Sequence, residues 1–270
     1  MTATTATFIP DEHLLNVAQI AANNATEVAL HFFNNSLQVN YKADESPVTV
    51  ADWEVENILR DVILEHFPDH GIFAEESGSS NLKQDIVWTI DPIDGTKSFI
   101  TGMPLFGTLI SALRDGVPTV GLIHMPALDK TFTGIRGGQA HHKGQVIRTR
   151  QCPTLDQAIC FIGEGDKMLA QNLGLYESLT RSTRLTRFGY DCYSYAQLAC
   201  GKIDIVIEQG LHPYDFCALV PVIEAAGGVI TDWQGSPLSL DSGGEVLACG
   251  DPQLHAQALK LIERYQCDRH

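Results

Sequence analysis

At Gly71 the spacing of apolar residues changes, and that change constrains the fold more than any other feature of the chain. Before it, Asp11 to Phe33 sets Leu14, Leu15, Ala18, Ala21, Ala22, Ala25, Val28, Ala29 and Phe32 at helical spacing behind an acidic first turn. A second helix is expected from about Thr49 to His66, with Val55, Ile58, Leu59, Val62 and Ile63 on the face that packs against the first. After it, residues 71–74 and 86–90 are short apolar runs rich in β-branched side chains, which read as strands and put Glu75 and Asp91 at strand ends. Thr108 to Met125 reads as a hairpin turning at Asp115-Gly116, and short strands continue to Arg148 between glycines. The first half is thus α+β, two helices on an antiparallel sheet. From Ala158 the order alternates: strands at 158–162, 184–188 and 203–208 are followed by helices at 167–180, 193–200 and 215–226. A strand at 245–249 and a helix at 252–265 close the chain. That is α/β order. The expected organisation is one domain over 1–270, with an α+β half at 1–150 and an α/β half at 151–270.

Charge limits the partners. Lys and Arg total 18 against 33 Asp and Glu, a net charge of −15, which repels nucleic acid and anionic membranes at long range. An acidic protein that binds a small phosphate needs positive potential supplied locally, and bound divalent cations supply it. The seven cysteines are scattered, lack any Cys-x-x-Cys pair, and read as reduced core residues. The first residues carry neither a basic start nor an apolar signal core, and no apolar run reaches the ~18 residues of a membrane span, so a cytoplasmic protein is expected. His141-His142 reads as solvated, and His212 as more exposed than engaged with ligand.

The chemistry concentrates in Asp91-Pro-Ile-Asp-Gly-Thr96. Two acids three residues apart at a strand end repel unless a cation lies between them. Mg²⁺ takes one or two carboxylates plus water and phosphate oxygens, and the Ile93 carbonyl adds a further oxygen. Gly95 lets backbone approach a phosphate, and Thr96 supplies a hydroxyl. Spacing removes two alternatives. A calcium-binding EF-hand needs acids at alternate positions and a Glu at the twelfth, and the aspartyl-phosphate phosphatases have one residue between their acids where Pro92-Ile93 stand here. Glu75-Glu76-Ser77, Asp215 at the start of an apolar helix, and Asp52 in the first turn after Thr49 are each weak alone, because strand-end glutamates and capping aspartates are common.

Together, in this order and over nearly the whole chain, these segments resemble the inositol monophosphatase family. Its first signature is similar to Trp88-Thr-Ile-Asp91-Pro-Ile-Asp94-Gly-Thr96 preceded by Ala74-Glu75-Glu76-Ser77. Its second is similar to Tyr214-Asp215-Phe-Cys-Ala-Leu-Val-Pro-Val-Ile-Glu-Ala-Ala-Gly227-Gly228, and its N-terminal element to Ser46-Pro-Val-Thr49-Val-Ala-Asp52. The resemblance implies a layered αβαβα sugar-phosphatase fold and a homodimer. It also implies two or three Mg²⁺ held by Glu75, Asp91, the Ile93 carbonyl, Asp94 and Asp215. Asp52, Thr96 and Glu75 become the catalytic residues, with Thr96 and Asp52 orienting an activated water. Asp94, Gly95, Thr96, Asp191, Glu208 and Asp215 become the substrate contacts. Tyr214 stands where the family usually has Trp, and Lys97-Ser98-Phe99 replaces Thr-Asn-Phe. These departures, with Gly189-Tyr-Asp-Cys-Tyr193, resemble the histidinol-phosphate phosphatase branch, which implies hydrolysis of L-histidinol phosphate in histidine biosynthesis. Carboxylates left over after metal binding, Asp191 and Glu208, suit that substrate's ammonium and imidazole. The rivals are the same chemistry on inositol or another sugar phosphate, and a catalytically silent regulatory protein.

Overall fold

The structure, a computed structural model, describes residues 9–35, 39–41 and 47–267. Ser46 and the N-terminal segment read above for a leader lie outside them. Helix α1 (Asp11–Phe33) buries its alanine-rich stripe against α2 (Val50–His66). The small residues Ala18, Ala21, Ala22, Ala25 and Ala29 allow close packing. Between the helices lies a ribbon, β1 (Val39–Tyr41) with β2 (Pro47–Thr49). Helix α2 starts where it does because Thr49 caps it. The Thr49 hydroxyl accepts from Ala51 N at 3.1 Å, and Asp52 Oδ2 accepts from Thr49 N at 2.7 Å and from Thr49 Oγ1 at 2.6 Å.

Next come β3 (Gly71–Ala74), β4 (Gly78–Ser80), β5 (Ile86–Asp94), the short helix α3 (Thr96–Ile100), β6 (Gly107–Arg114), β7 (Val117–Met125), β8 (Lys130–Ile135), β9 (Ala140–His142) and β10 (Gln145–Ile147). Among the described residues they form an eight-stranded sheet of order β10-β9-β8-β7-β6-β5-β3-β4. The expected antiparallel sheet needs one correction: β3 and β5 are parallel, because the chain turns back along edge strand β4 before re-entering beside β3. His141 and His142 are half-buried rather than solvated; His142 stacks on Phe132 at 4.4 Å, and its Nδ1 bonds the Thr131 carbonyl.

The second half contributes β11 (Ile159–Ile162), α4 (Gly165–Gln171), α5 (Leu173–Ser182), β12 (Leu185–Phe188), α6 (Asp191–Ala199), β13 (Ile205–Glu208), α7 (Pro213–Phe216), α8 (Leu219–Ala225), β14 (Val229–Thr231), β15 (Val246–Cys249) and α9 (Pro252–Cys267). Its sheet runs β12-β11-β13-β15-β14, parallel among the first three and antiparallel at β15. Two expected helices are each split. Pro221 has no N–H to bond the Cys217 carbonyl, which accepts from Ser111 Oγ at 3.1 Å instead, so 215–226 becomes α7 and α8. Residues 167–180 break at Asn172, whose buried amide donates to Gln209 Oε1 and accepts from Tyr265 OH at 3.1 Å.

Alternation along the strands assigns the layers. On β6, Ile110 and Ala112 face the α1–α2 core, while Leu109 and Leu113 join α6, α8 and Val206 in a second core. On β13, Ile205 and Ile207 face a third core with α5 and α9. The order is α1/α2, sheet, α6/α8, sheet, α5/α9, the layered αβαβα arrangement expected from the resemblance. Helix α8 sits hard against the first sheet because glycines clear its path. A Cβ at Gly121 would lie 2.1 Å from the Ala218 carbonyl, and one at Gly134 2.4 Å from that of Pro221. Of the cysteines, five are buried and all are free, as expected, but Cys200 is half-exposed and Cys267 exposed. Among the described residues no helix is long and apolar enough to cross a membrane.

Candidate active site

The run Asp91 to Asp94 is not a turn beyond the strand but part of β5. Asp91 pairs with Leu109 and Asp94 with Gly107, so β5 carries one residue more than β6 over this interval. In a regular strand residues three apart face opposite ways; the extra residue brings Asp91 and Asp94 to the same side. Thr108 Oγ1 donates to the displaced Pro92 carbonyl at 2.8 Å. Gly95 takes a left-handed φ of 85°, and a Cβ there would lie 2.5 Å from the Asp191 carboxyl carbon, so the position accepts only glycine.

Asp91, Asp94 and Asp215 bring one carboxylate oxygen each within 4.8 Å of the others. Each carboxylate is held from behind by a backbone N–H: Ile93 N to Asp91 Oδ1 at 3.0 Å, Cys192 N to Asp94 Oδ2 at 2.6 Å, and His212 N to Asp215 Oδ2 at 2.7 Å. Glu75, tied through its N–H to the Ile90 carbonyl, joins them at the wall. Burial first, and then the neighbouring acids, push Asp91 and Asp94 far above the usual carboxylate range and Asp215 to about 7. Like charges at this spacing call for a cation, and the all-oxygen donor set, completed by the Ile93 carbonyl, suits a hard divalent one.

The cleft, about 210 Å³, is lined by every expected site residue except Asp52. Asp52 is fully buried; its Oδ2 serves the α2 cap, its Oδ1 has no partner among the described residues, and burial raises its pKa to about 6. Thr96 Oγ1 donates to the Ile93 carbonyl at 3.3 Å. Asp191, read as a loop residue, opens α6 in a left-handed conformation, φ 50°, and accepts from Ser98 Oγ at 2.5 Å. Glu208 ends β13 buried, not at an exposed edge; it accepts from Tyr195 OH at 3.0 Å, and burial pushes its pKa up to about 8. His212 is exposed as expected and stacks on Tyr214 at 5.2 Å, which in turn stacks on Phe73 at 6.0 Å. Burial and the acid cluster raise the Tyr214 phenol well above its ordinary value.

Sequence reasoning missed four participants. Glu56 on α2 is buried and accepts from Glu76 N and Ser77 N at 2.7 and 2.9 Å, fixing the loop that carries Glu75. An acid on the apolar face beside Val55 and Leu59 was the available signal. Lys97, Glu164 and Lys167 also line the cleft, with Lys97 Nζ 2.9 Å and Lys167 Nζ 3.4 Å from Glu164 Oε2. Lys167 lies one helical turn from Glu164, but nothing local in the sequence marks the meeting of Lys97 with Glu164.

The sequence model of the inositol monophosphatase family matches residues 11–266. A bifunctional phosphatase of Arabidopsis thaliana, IMPL2, chloroplastic, is 41% identical over 256 residues, covering 92% of this chain and 74% of its own length. A histidinol-phosphatase of Chlorobaculum parvum is 33% identical over 236 residues, covering 87% of this chain and 91% of its own. Among solved structures, an inositol monophosphatase from Zymomonas mobilis superposes with a TM-score of 0.85 at 38% identity, over 95% of this chain and 100% of its own.

Proposed function

Because the chain belongs to the inositol monophosphatase family, we propose that its acidic cleft hydrolyses L-histidinol phosphate to L-histidinol and phosphate with Mg²⁺. That it is a phosphatase of this family follows from the match; the substrate, the metal and the residue roles are the proposal. Glu75, Asp91, the Ile93 carbonyl, Asp94 and Asp215 would hold two or three Mg²⁺. The backbone N–H bonds to the three aspartates leave carboxylate oxygens for that use. When bound, the ions neutralise phosphate oxygens and make water more acidic at neutral pH.

The chain's own groups do the rest. Gly95 admits the phosphate against backbone, and the Thr96 hydroxyl orients the attacking water. Helix α3, which Thr96 opens, packs on β2, whose last residue caps α2 together with Asp52. Asp52 Oδ1, buried and without a partner among the described residues, is suited to hold the proton that water releases, and a pKa near 6 lets it do so close to neutral pH. No covalent intermediate is needed.

One observation carries the substrate reading. After Glu75, Asp91, Asp94 and Asp215 are assigned to metal, the wall still presents three carboxylates: Asp191 and Glu208, named from the sequence, and Glu164. A neutral polyol does not require them; an ammonium and an imidazole do. The histidinol-phosphatase relative supports this reading, while the Zymomonas likeness supports inositol phosphate as the alternative. The retained acids argue against a silent regulatory protein. The test is steady-state kinetics with Mg²⁺ on L-histidinol phosphate and inositol 1-phosphate: far better turnover of inositol 1-phosphate overturns the substrate assignment. A homodimer and a cytoplasmic location belong to the same proposal, the first resting on family resemblance and checked by light scattering.

A further inference from the structure

A second cavity, about 360 Å³, adjoins the cleft and shares Lys97, Glu164, Asp191 and Glu208 with it. Phe188, Tyr190 and Asp166 lie on its wall, and both aromatic rings are unusually exposed, 40% and 41%. Glu164 stands at the junction. It is flanked by two glycines with different jobs. A Cβ at Gly163 would lie 2.3 Å from the Glu208 carboxyl carbon, and one at Gly165 2.3 Å from the Phe188 ring. The chain is thus threaded between an acid and an aromatic face, with Glu164 itself at φ 41°, a left-handed conformation that a non-glycine residue adopts only under constraint.

At this strained position Glu164 is 21% exposed and pairs with Lys97 across two elements, α3 and the start of α4. A phosphate ester entering the cleft offers Lys97 a second anionic partner in competition with Glu164. If Lys97 turns to it and the ester is neutral elsewhere, Glu164 then loses its cross-element cation and keeps only Lys167, its neighbour on α4. If the ester carries its own ammonium, Glu164 gains a new partner in the same step. We propose that the Lys97–Glu164 pair selects phosphate esters bearing a cation: Lys97 turns to the phosphate, Glu164 takes the substrate's ammonium, and Phe188 and Tyr190 receive a flat ring beyond it. Selection of this kind works as much by penalising the neutral ester as by favouring the charged one.

The inference rests on the substrate reading proposed above, and the experiment separates the two. Wild type, Glu164→Gln and Glu164→Gly are assayed with Mg²⁺ on L-histidinol phosphate and inositol 1-phosphate. Glycine removes the charge while relieving the left-handed strain, so a shared effect of both variants is not a folding defect. The expected result is a rise of about tenfold in KM for L-histidinol phosphate and a severalfold gain in kcat/KM for inositol 1-phosphate, narrowing discrimination by more than about tenfold. If wild type prefers inositol 1-phosphate, the substrate reading falls and this inference with it. If wild type prefers L-histidinol phosphate but both variants keep its discrimination within about twofold, only the role of Glu164 is overturned.

Discussion

The carboxylates of the cleft oppose one another in two ways, by charge and by function. Asp94 is buried beside Asp191 and Asp215, and its pKa is driven up by burial first and by those acids next. Asp94→Asn should therefore lower Mg²⁺-supported activity by at least about 10³-fold while raising the Tm of the chelated protein. Chelation in EDTA with a thermal melt, beside a phosphate-release assay, reads both, and unchanged activity would sink the site assignment. The same logic fixes a pH dependence. Asp52 and Glu208 titrate at about 6 and about 8 when folded, above the ordinary values of 3.8 and 4.5. An acid whose folded pKa is raised adds stability below its unfolded value and loses it as pH climbs through the folded one. The chelated protein should accordingly lose Tm between about pH 4 and about pH 8.5, and Glu208→Gln should flatten the upper part of that fall. A Tm that rises over this range contradicts it. Asp91 and Asp94 were legible as a pair from their spacing, whereas Glu75 and Asp215, weak alone, joined them only through the family resemblance. Glu164 was not legible: its partner Lys97 is 67 positions away, and only the fold brings the two side chains together.

Elements with a strong local cause were read to within a residue or two, and those interrupted by side-chain competition were not. Helix α2 begins at Val50 because Thr49 and Asp52 cap each other, a pattern visible in four residues. Thr49→Ala should cost about 1 kcal/mol of stability and, since Thr49 also holds Asp52 Oδ2, lower kcat more than it raises KM. Urea unfolding and steady-state kinetics check the two parts. The split between α7 and α8 needed knowledge that Ser111, 106 positions earlier, would satisfy the carbonyl that Pro221 leaves open. The bulge in β5 was likewise invisible, since it exists only relative to β6. Close approach of α8 to β7 and β8 gives a sharper test. Gly134→Ala places a methyl 2.4 Å from the Pro221 carbonyl and 2.6 Å from Val222 Cα, both backbone and unable to step aside. A loss of about 2–4 kcal/mol is expected, against a few tenths for Gly137→Ala if φ of 75° were costless. Since that φ is not costless, about 1 kcal/mol is the fairer comparison there.

The whole molecule joins two sheets through the α6–α8 layer, and the acid cluster lies across that join. Glu75, Asp91 and Asp94 come from the eight-stranded sheet and its loop, Asp215 from α7 in the second half. A net charge of −15 gives the chain no surplus of positive charge with which to offset them. Cation binding should therefore act as a clasp between the halves. At a free Mg²⁺ concentration 100 times its Kd, one site adds about 2.7 kcal/mol to stability. Its effect should also be local. Amide exchange with and without chelator is the discriminating measurement: removing the metal should speed exchange at residues 75–77, 91–95 and 212–216, and at the N-terminus of α6, where Cys192 N is bonded to Asp94. The third core, under α5 and α9, contains none of the proposed ligands and should exchange at an unchanged rate. A uniform change over the chain would mean that the cations stabilise the fold only as a whole and do not clasp its two halves at the cleft.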